Sequence, residues 1–468
     1  MSTIKDDPGF ELETLAEPYR IKAVEKIRLL SRAEREKVLK DAFYSTVYIN
    51  SEDVYIDLVT DSGTGAMSDN QWAALMKGDE AYMRARSFFE FEKVVQEVLG
   101  FQYVVPTHQG RAAEHILMGL LVKQDELVLS NTHFDTTREH VRHRGAKPID
   151  LVGDVLWDID KEHPFKGNFD LARLETALER YHERVPFVLI TVLNNFAYSS
   201  PVSMENIREV KRLAKKWNKP VYFDACRFAE NAYFIKTREP GYSDKSIGDI
   251  VKEMFEGAEG CWMSAKKDAI TNIGGFLALK DEALTRRCQE RLALFEGFPT
   301  YGGLAGRDLE AIAVGLREVL DESYLRHRTD QVAFLAKLFK DEGIKVSLPA
   351  GGSGVFVDVA SLYGHIPPDA FPTIAMLCDL YLEGGIRAGA FPFHFNIVDA
   401  KTGELGTKVF QFARFAIPRR VYTKSHFEYI AKVMGQVKRN AAPKNKGYKC
   451  TYAPPVLAHF FSKFEPLG

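Results

Sequence analysis

The chain has 468 residues, a formal net charge of −2 and 46% hydrophobic residues, a composition typical of a globular protein with a sizeable core. The near-neutral charge and the lack of a basic block argue against a nucleic-acid partner. No apolar run approaches the roughly 18 residues of a membrane span, and the polar start predicts no signal peptide. The five cysteines form no CxxC pair, which favours a reduced, cytoplasmic protein without a zinc site or disulfide framework.

The N-terminal part of the chain predicts a loose arm and two charged amphipathic helices. Apolar spacing predicts the helices in residues 20–27 and 32–42, and a short strand in residues 54–59. The polar loop of residues 60–65 contains two glycines, which suit either a turn or a loop approached by a ligand. We expect residues 1–60 to pack on a smaller C-terminal domain.

Strands and helices then alternate through residues 61–310. The strands are predicted in residues 101–105, 126–129, 147–152, 186–193, 220–223 and 271–279. This alternation predicts a large α/β domain with a doubly wound, mostly parallel sheet. Ligands of such sheets bind beyond the carboxyl ends of the strands. Because Gln109, Asn195, Asp224 and Lys267 lie at such ends, we expect them to share one cleft.

The segment CWMSAKKD, residues 261–268, is predicted to carry the reactive residue. Small side chains at Ser264 and Ala265 leave room for a bulky group beside Lys266 and Lys267. A lysine amine in a partly desolvated pocket can form a Schiff base with an aldehyde cofactor. Most Lys-Lys pairs are simply solvated, so this interpretation depends on the residues around the pair.

Other side chains at the predicted strand ends suit the same cofactor. Gly110 and Arg111 stand where a helix start can seat a phosphate, although an ordinary helix start fits equally well. Asp224 can hold a pyridinium nitrogen protonated, or form a helix-start ion pair with Arg227. Phe134 can stack on a flat ring, although packing is the usual role of a lone phenylalanine.

Beyond the large domain the pattern changes to long helices and shorter strands. Helices are predicted in residues 308–320 and 330–339, and strands in residues 354–359 and 409–415. We expect residues 311–468 to form a smaller α+β domain.

Several motifs are spread over nearly the whole chain. They are DSGT at 61–64, GDEAY at 78–82, PTHQGR at 106–111, ENAYFIK at 230–236, MSAKKD at 263–268, YGGL at 301–304 and IPRR at 417–420. Together they resemble the aromatic amino acid β-lyases, the tryptophanase and tyrosine phenol-lyase family of fold-type I pyridoxal-phosphate enzymes. The resemblance implies a mostly parallel sheet of the seven-stranded type in the large domain, and a homotetramer.

The resemblance also implies residue roles at the cofactor. Lys267 would bind pyridoxal phosphate and then remove the substrate α-proton as a general base. Asp224 would pair with the pyridine nitrogen, and Phe134 would stack on the ring. The implied cofactor residues are Gln109, Gly110, Arg111, Phe134, Asn195, Asp224, Arg227, Ser264, Lys266 and Lys267.

For the substrate, the resemblance implies that Arg414 clamps the carboxylate by a bidentate fork. Tyr82, reaching in from a neighbouring subunit, would protonate the leaving carbon. A monovalent cation, potassium, would bind at Gly63, Glu80 and Asn272.

The positions that bear on substrate choice favour tryptophan. Asp135 and His459 match the tryptophanase pattern, whereas phenol-lyases have Thr and Phe there. Phe391 stands where phenol-lyases have an arginine for the phenolic oxygen, so tyrosine is disfavoured. We therefore predict a pyridoxal-phosphate-dependent carbon–carbon lyase that cleaves tryptophan to indole, pyruvate and ammonia. One alternative is a relative that eliminates a different β-substituent, or acts on a non-aromatic or non-standard amino acid in a specialised pathway. The other is an aminotransferase on the same fold.

The chain also departs from the family around the substrate. AYSS at residues 197–200 replaces Ala-Gly-Gly-Gln, Met83-Arg84 replaces small residues, and Ala390 replaces a glutamate. Overfilling a packed site costs about 1–3 kcal/mol. Tyr198 and Met83 therefore predict a pocket that is narrower or differently shaped, in which any cleavage of tryptophan is slow beside that of a smaller β-substituted alanine such as S-methylcysteine.

Overall fold

The computed structural model describes residues 15–468, apart from the side chains of residues 391–394. Most of the predicted N-terminal arm therefore lies outside the described residues. The strands are β1 Ile56–Leu58, β2 Tyr103–Thr107, β3 Leu127–Ser130, β4 Lys147–Asp150, β5 Val188–Thr191, β6 Val221–Asp224, β7 Gly260–Ser264, β8 Gly275–Leu279, β9 Gly354–Asp358, β10 Ile386–Val398, β11 Leu405–Ala416, β12 Tyr448–Tyr452 and β13 Lys463–Pro466.

The helices lie between these strands. They are α1 Arg32–Asp41, α2 Asp69–Lys77, α3 Arg86–Leu99, α4 Gly110–Leu121, α5 Asp135–His143, α6 Leu171–Tyr181, α7 Met204–Lys216, α8 Phe228–Arg238, α9 Ile247–Phe255, α10 Glu282–Phe295, α11 Gly306–Glu318, α12 Glu322–Asp341, α13 Ala360–Tyr363, α14 Pro372–Gly384 and α15 Lys424–Gln436. None of the helices in the described part of the chain is long and apolar enough to cross a membrane.

A mixed sheet organises the molecule. Its order is β2-β8-β7-β6-β5-β3-β4-β10-β11-β9, with β1 beside β10. The pairs from β4 through β3, β5 and β6 to β7 are parallel, and β8 runs antiparallel to both of its neighbours. The β5 sequence VLIT is buried on both faces, as expected of a strand covered by helices on each side. The predicted α/β class, with a mostly parallel large sheet and a smaller α+β part, is confirmed.

The apolar side chains form separate cores around this sheet. The largest packs helices α3, α6, α7, α8, α9 and α11 against the central strands. Another joins Leu39 and Val54 to Phe339, Phe415 and Phe427, so that α1 shares a core with C-terminal elements. The domain boundaries at residues 60 and 310 stay predictions.

One sequence-based prediction of secondary structure is wrong. Residues 20–27 form no helix, and the side chains of Ile21 and Val24 are exposed. An isolated helix this short gains too little without a buried face. By contrast, Lys267 follows the end of a strand as expected, because the residues of β7 are buried between β6 and β8.

Candidate active site

A cavity of about 660 Å³ opens at the carboxyl ends of β2, β5, β6 and β7 and is covered by C-terminal segments. Its volume lies within the roughly 300–1,000 Å³ of typical small-molecule sites. Every predicted cofactor residue lines it: Gln109, Gly110, Arg111, Phe134, Asn195, Asp224, Arg227, Ser264, Lys266 and Lys267. Three predicted substrate residues, Asp135, Arg414 and His459, line the same cavity. The structure thus brings together side chains that are far apart in the sequence.

One end of the cavity is a backbone cradle at the start of α4. Gln109 precedes this helix directly, and a Cβ atom added to Gly110 would lie 2.8 Å from Ser264 Cβ. A Cβ on Gly275 would lie 2.5 Å from the Gln109 carbonyl carbon. The two glycines therefore let the helix start and the end of β7 approach closely. A helix N-terminus with Arg111 beside it fits a phosphate group.

The floor of the cavity carries the predicted ring contacts. Asp224 is the last residue of β6 and is buried, and its carboxylate accepts a hydrogen bond of 3.1 Å from the Cys226 N–H. The Lys267 Nζ lies 5.4 Å from the centre of the Phe134 ring. Burial, and then the charges of Lys267 and Arg111, lower the pKa of Lys266. An amine, a carboxylate and an aromatic ring thus surround the space beside the cradle.

Arg227 is held by a carboxylate that the sequence did not assign to the site. Its Nε and Nη2 donate to the two oxygens of Asp61 at 3.0 and 2.8 Å. Burial favours a raised pKa for Asp61, but Arg227 and Arg419 outweigh it and hold that pKa well below its ordinary value. Asp61 belongs to the DSGT motif, so its place in that motif was the available signal.

Glu114 is a second carboxylate that the sequence reasoning missed. It lines the cavity from α4 and accepts hydrogen bonds from the hydroxyls of Thr136 and Thr137 at 2.6 and 2.7 Å. Burial, and then the neighbouring Asp224, raise the pKa of Glu114 to about 7. The sequence could have indicated Glu114, because it is the one carboxylate on an otherwise apolar face of the helix predicted after Gly110.

The substrate side of the cavity is more apolar. Arg414 is buried on β11, donates to the Val59 carbonyl at 2.8 Å, and burial lowers its pKa to about 10. At the edge, His459 Nε2 lies 3.5 Å from the Asp135 carboxylate. Apolar residues of the C-terminal part complete this side, together with Val47: Phe371, Ile374, Leu377, Ala390, Val409 and Phe464.

Four predicted site residues lie outside the cavity lining. Tyr82 is exposed and its ring packs against Tyr301, with ring centres 5.3 Å apart. Asn272 Nδ2 donates to the Gly63 carbonyl at 3.0 Å, so these two predicted cation ligands are neighbours. Glu80 instead pairs with Arg307 on the surface. The Phe391 side chain lies outside the described residues, and its predicted contact stays a prediction.

The prediction that Tyr198 narrows the pocket is wrong. Its buried ring packs on Phe412 at 4.9 Å, and its hydroxyl donates to the Leu156 carbonyl at 3.1 Å, away from the cavity. Tyr198 and Ser199 have φ values of 56° and 51°, a left-handed backbone that glycine adopts at least cost. The backbone of this turn therefore keeps the conformation that glycine favours, and the Tyr198 side chain points away from the cavity. Met83 is also exposed and lines no part of the cavity.

Comparison with known proteins identifies a matching family and relatives that align over nearly the whole chain. Residues 57–433 match the family described as beta-eliminating lyase. The chain is 48% identical over 469 residues to a tryptophanase of Salinibacter ruber, covering 97% of this chain and 96% of the relative. It is 45% identical over 458 residues to a tyrosine phenol-lyase of Symbiobacterium sp., covering 97% and 99%.

Solved structures share the fold at much lower identity. A serine palmitoyltransferase of Sphingomonas wittichii aligns with a TM-score of 0.57 at 14% identity, covering 88% of this chain and 97% of that one. A threonine aldolase of Leishmania major aligns with a TM-score of 0.57 at 13% identity, covering 82% and 99%.

Proposed function

The chain belongs to the beta-eliminating lyase family and is a pyridoxal-phosphate-dependent lyase, and from that premise we propose that it cleaves tryptophan to indole, pyruvate and ammonia. One observation carries this proposal. The complete set of predicted cofactor residues lines the same cavity as the Asp135–His459 pair, which matches the tryptophanase pattern.

The residues present fit the cofactor. The cradle at Gly110 has no room for a side chain, which suits a phosphate drawn close to the backbone. Bound pyridoxal phosphate supplies an electron sink for charge that develops at the substrate α-carbon. Asp224 would supply a negative charge to the ring nitrogen, and the Lys267 amine would hold the cofactor and take the α-proton. The remaining chemistry depends on how the substrate is held.

Arg414 and the edge of the pocket hold the substrate in this proposal. The Arg414 guanidinium orients the carboxylate of the amino acid by a two-point contact. The apolar residues accept a flat ring, and the Asp135–His459 pair offers a polar contact to the indole N–H. Phe391 can give no hydrogen bond to a phenolic oxygen, so tyrosine is a poor substrate.

We further propose a potassium site and a homotetramer in the cytoplasm. The Gly63 and Asn272 carbonyls would supply cation ligands from one subunit, and Glu80 would supply another from a neighbouring copy, together with the acid Tyr82. The contact between Gly63 and Asn272 supports this arrangement, as does the exposure of Glu80 and Tyr82 on the surface of the single chain.

The experiment compares kcat/KM for tryptophan, S-methylcysteine and tyrosine, measuring pyruvate and the leaving group together, in potassium and in sodium buffer. Because Tyr198 points away from the cavity, we expect tryptophan to be the best of the three and potassium to be required. Preference for S-methylcysteine would favour the alternative of a different leaving group, for which Ala390 leaves space. Formation of a keto acid that keeps the substrate side chain, only when a second keto acid is added as amino acceptor, would favour an aminotransferase, and phenol release would overturn the interpretation of Phe391.

A further inference from the structure

A network of buried charged side chains extends from the cavity wall into the protein behind it, and most of its members have no role in the function proposed above. Each of its members is at most 3% exposed. Carboxylates and guanidinium groups are equal in number, so their charges balance when all are ionised. The members are Asp61, Arg227, Glu230, Asp268, Arg328 and Arg419.

Arg419 lies at the centre of this network. Its Nη1 donates to an Asp61 carboxylate oxygen at 3.1 Å, and its Nη2 donates to Glu230 at 2.7 Å and to Asp268 at 3.0 Å. One guanidinium thus binds three carboxylates from three separate segments. The planar fork of arginine allows this, whereas the compact ammonium of lysine cannot reach all three at once.

Two of these carboxylates lead directly to the cofactor site. Asp268 follows Lys267 in the chain, and its second oxygen accepts a hydrogen bond of 2.8 Å from the Ala229 N–H in the first turn of α8. The turn that carries Lys267 is therefore bound to α8 on one side and to Arg419 on the other. Asp61 receives both Arg419 and the fork of Arg227, which lines the cavity.

The network also connects the large sheet to the C-terminal part of the chain. Arg419 follows β11, and Arg328 on α12 donates to Glu230 at 3.0 Å and to the Ile417 carbonyl at 2.6 Å. Buried ion pairs are a poor source of stability, because desolvation offsets much of their attraction and apolar packing does as well. A role in fixing geometry explains the network better than a role in stability.

We propose that Arg419 is a positioning residue that fixes Lys267 through Asp268 and Arg227 through Asp61. The proposal rests on the proposed function for the identity of the group that Lys267 binds. It goes further in making the C-terminal segment, rather than the large sheet alone, responsible for where the reactive amine lies.

The test uses Arg419→Lys in the enzyme loaded with pyridoxal phosphate, with Arg238→Lys as the matched control. Arg238 is partly buried at the end of α8 and donates to the Pro164 carbonyl at 3.0 Å and, in the C-terminal part, to the Ala350 carbonyl at 2.9 Å, but it does not line the cavity. The readouts are the pH midpoint of the bound cofactor's absorbance change, kcat, KM and Tm.

For Arg419→Lys we expect kcat to fall about 10- to 100-fold, as for a misplaced reacting group, with a displaced absorbance midpoint. Arg238→Lys should lower Tm and leave the midpoint and kcat as in the unaltered enzyme. A folded Arg419→Lys enzyme with lowered Tm but an unchanged midpoint and kcat would show a purely structural role and overturn the proposal.

If Arg419→Lys does not fold, the Asp268→Asn variant tests the proposal instead. Asparagine keeps the shape of the aspartate side chain and one acceptor oxygen but removes the negative charge. A displaced midpoint in this variant supports the proposal, and an unchanged midpoint with unchanged kcat overturns it. The midpoint does not depend on the substrate, so it separates this proposal from the choice of tryptophan. A protein that binds no chromophore would instead refute the proposed function itself.

Discussion

The two sides of the cavity are held in place by different means. On the cofactor side, Asp224 and Lys267 follow central strands, and buried hydrogen-bonded charges support them from behind. On the substrate side, C-terminal residues present mostly apolar surface, and the Asp135–His459 pair at the edge is partly exposed. The side that carries Asp224 and Lys267 is joined to the sheet by several hydrogen bonds and ion pairs, whereas the apolar side has few polar contacts.

This difference indicates where change is tolerated. A substitution on the cofactor side breaks contacts made by several segments, so we expect it to lower activity toward every substrate. A substitution on the substrate side alters shape or one edge contact, so it alters preference. The departure at Ala390 agrees with this division, since Ala390 lines the apolar side of the cavity.

The largest effect is expected for Lys267→Ala, which removes the amine that we propose attaches the cofactor and accepts the α-proton. We expect kcat to fall at least about 10³-fold, within the range for loss of a general base. Borohydride reduction followed by peptide mapping should label Lys267 in the unaltered enzyme and give no label in the variant. A label on Lys266, whose side chain packs over Gly63, would contradict the assignment.

A smaller effect is expected for Glu114→Gln, which tests how strongly the cofactor side responds to pH. Burial and Asp224 raise the pKa of Glu114 from 4.5 to about 7. A carboxyl with a raised pKa in the folded state stabilises the fold below its unfolded pKa, and this contribution is lost as pH rises through the folded value. Over that window the loss is roughly 3 kcal/mol.

The free energy of unfolding of Glu114→Gln should therefore fall less between pH 5 and pH 8 than that of the unaltered protein. Urea denaturation at the two pH values measures it, with the exposed Glu179→Gln as control. Parallel pH profiles for Glu114→Gln and the unaltered protein would show that Glu114 is ionised throughout this range.

The smallest effect is expected for His459→Phe, on the substrate side. A partly exposed polar contact of this kind contributes about 0–1 kcal/mol, so kcat/KM for tryptophan should fall less than about tenfold, mainly through KM. The double variant with Asp135→Asn should lose little more than either single variant if the two residues act as a pair. A fall of a hundredfold or more in kcat/KM for His459→Phe would show that the two sides of the cavity do not differ in their tolerance of substitution.

The sequence predicted that the residues at the strand ends share one cleft, because that inference needs only the local strand pattern. Asp224 and Gln109 follow strands, and parallel strands bring their carboxyl ends to one edge of the sheet. It missed the contacts of Arg419 with Asp61 and Asp268, since no local pattern pairs residues so far apart in the chain. It misjudged Tyr198 because the direction of a side chain depends on the backbone conformation, which residue size does not reveal.

The pairing of β1 with β10 has a consequence for how the chain is made. Ile56 lies opposite Ile386, so the N-terminal strand has no partner until most of the protein has been synthesised. A ribosome adds roughly 5–20 residues per second, so this wait lasts on the order of tens of seconds. During that time Leu39 and Val54, which end in a core with C-terminal residues, have no C-terminal surface to pack on. Strands β2 to β8 of the large sheet are all synthesised before β10, so this part of the sheet can form first, and strand β1 and helix α1 are then among the last elements to reach their places.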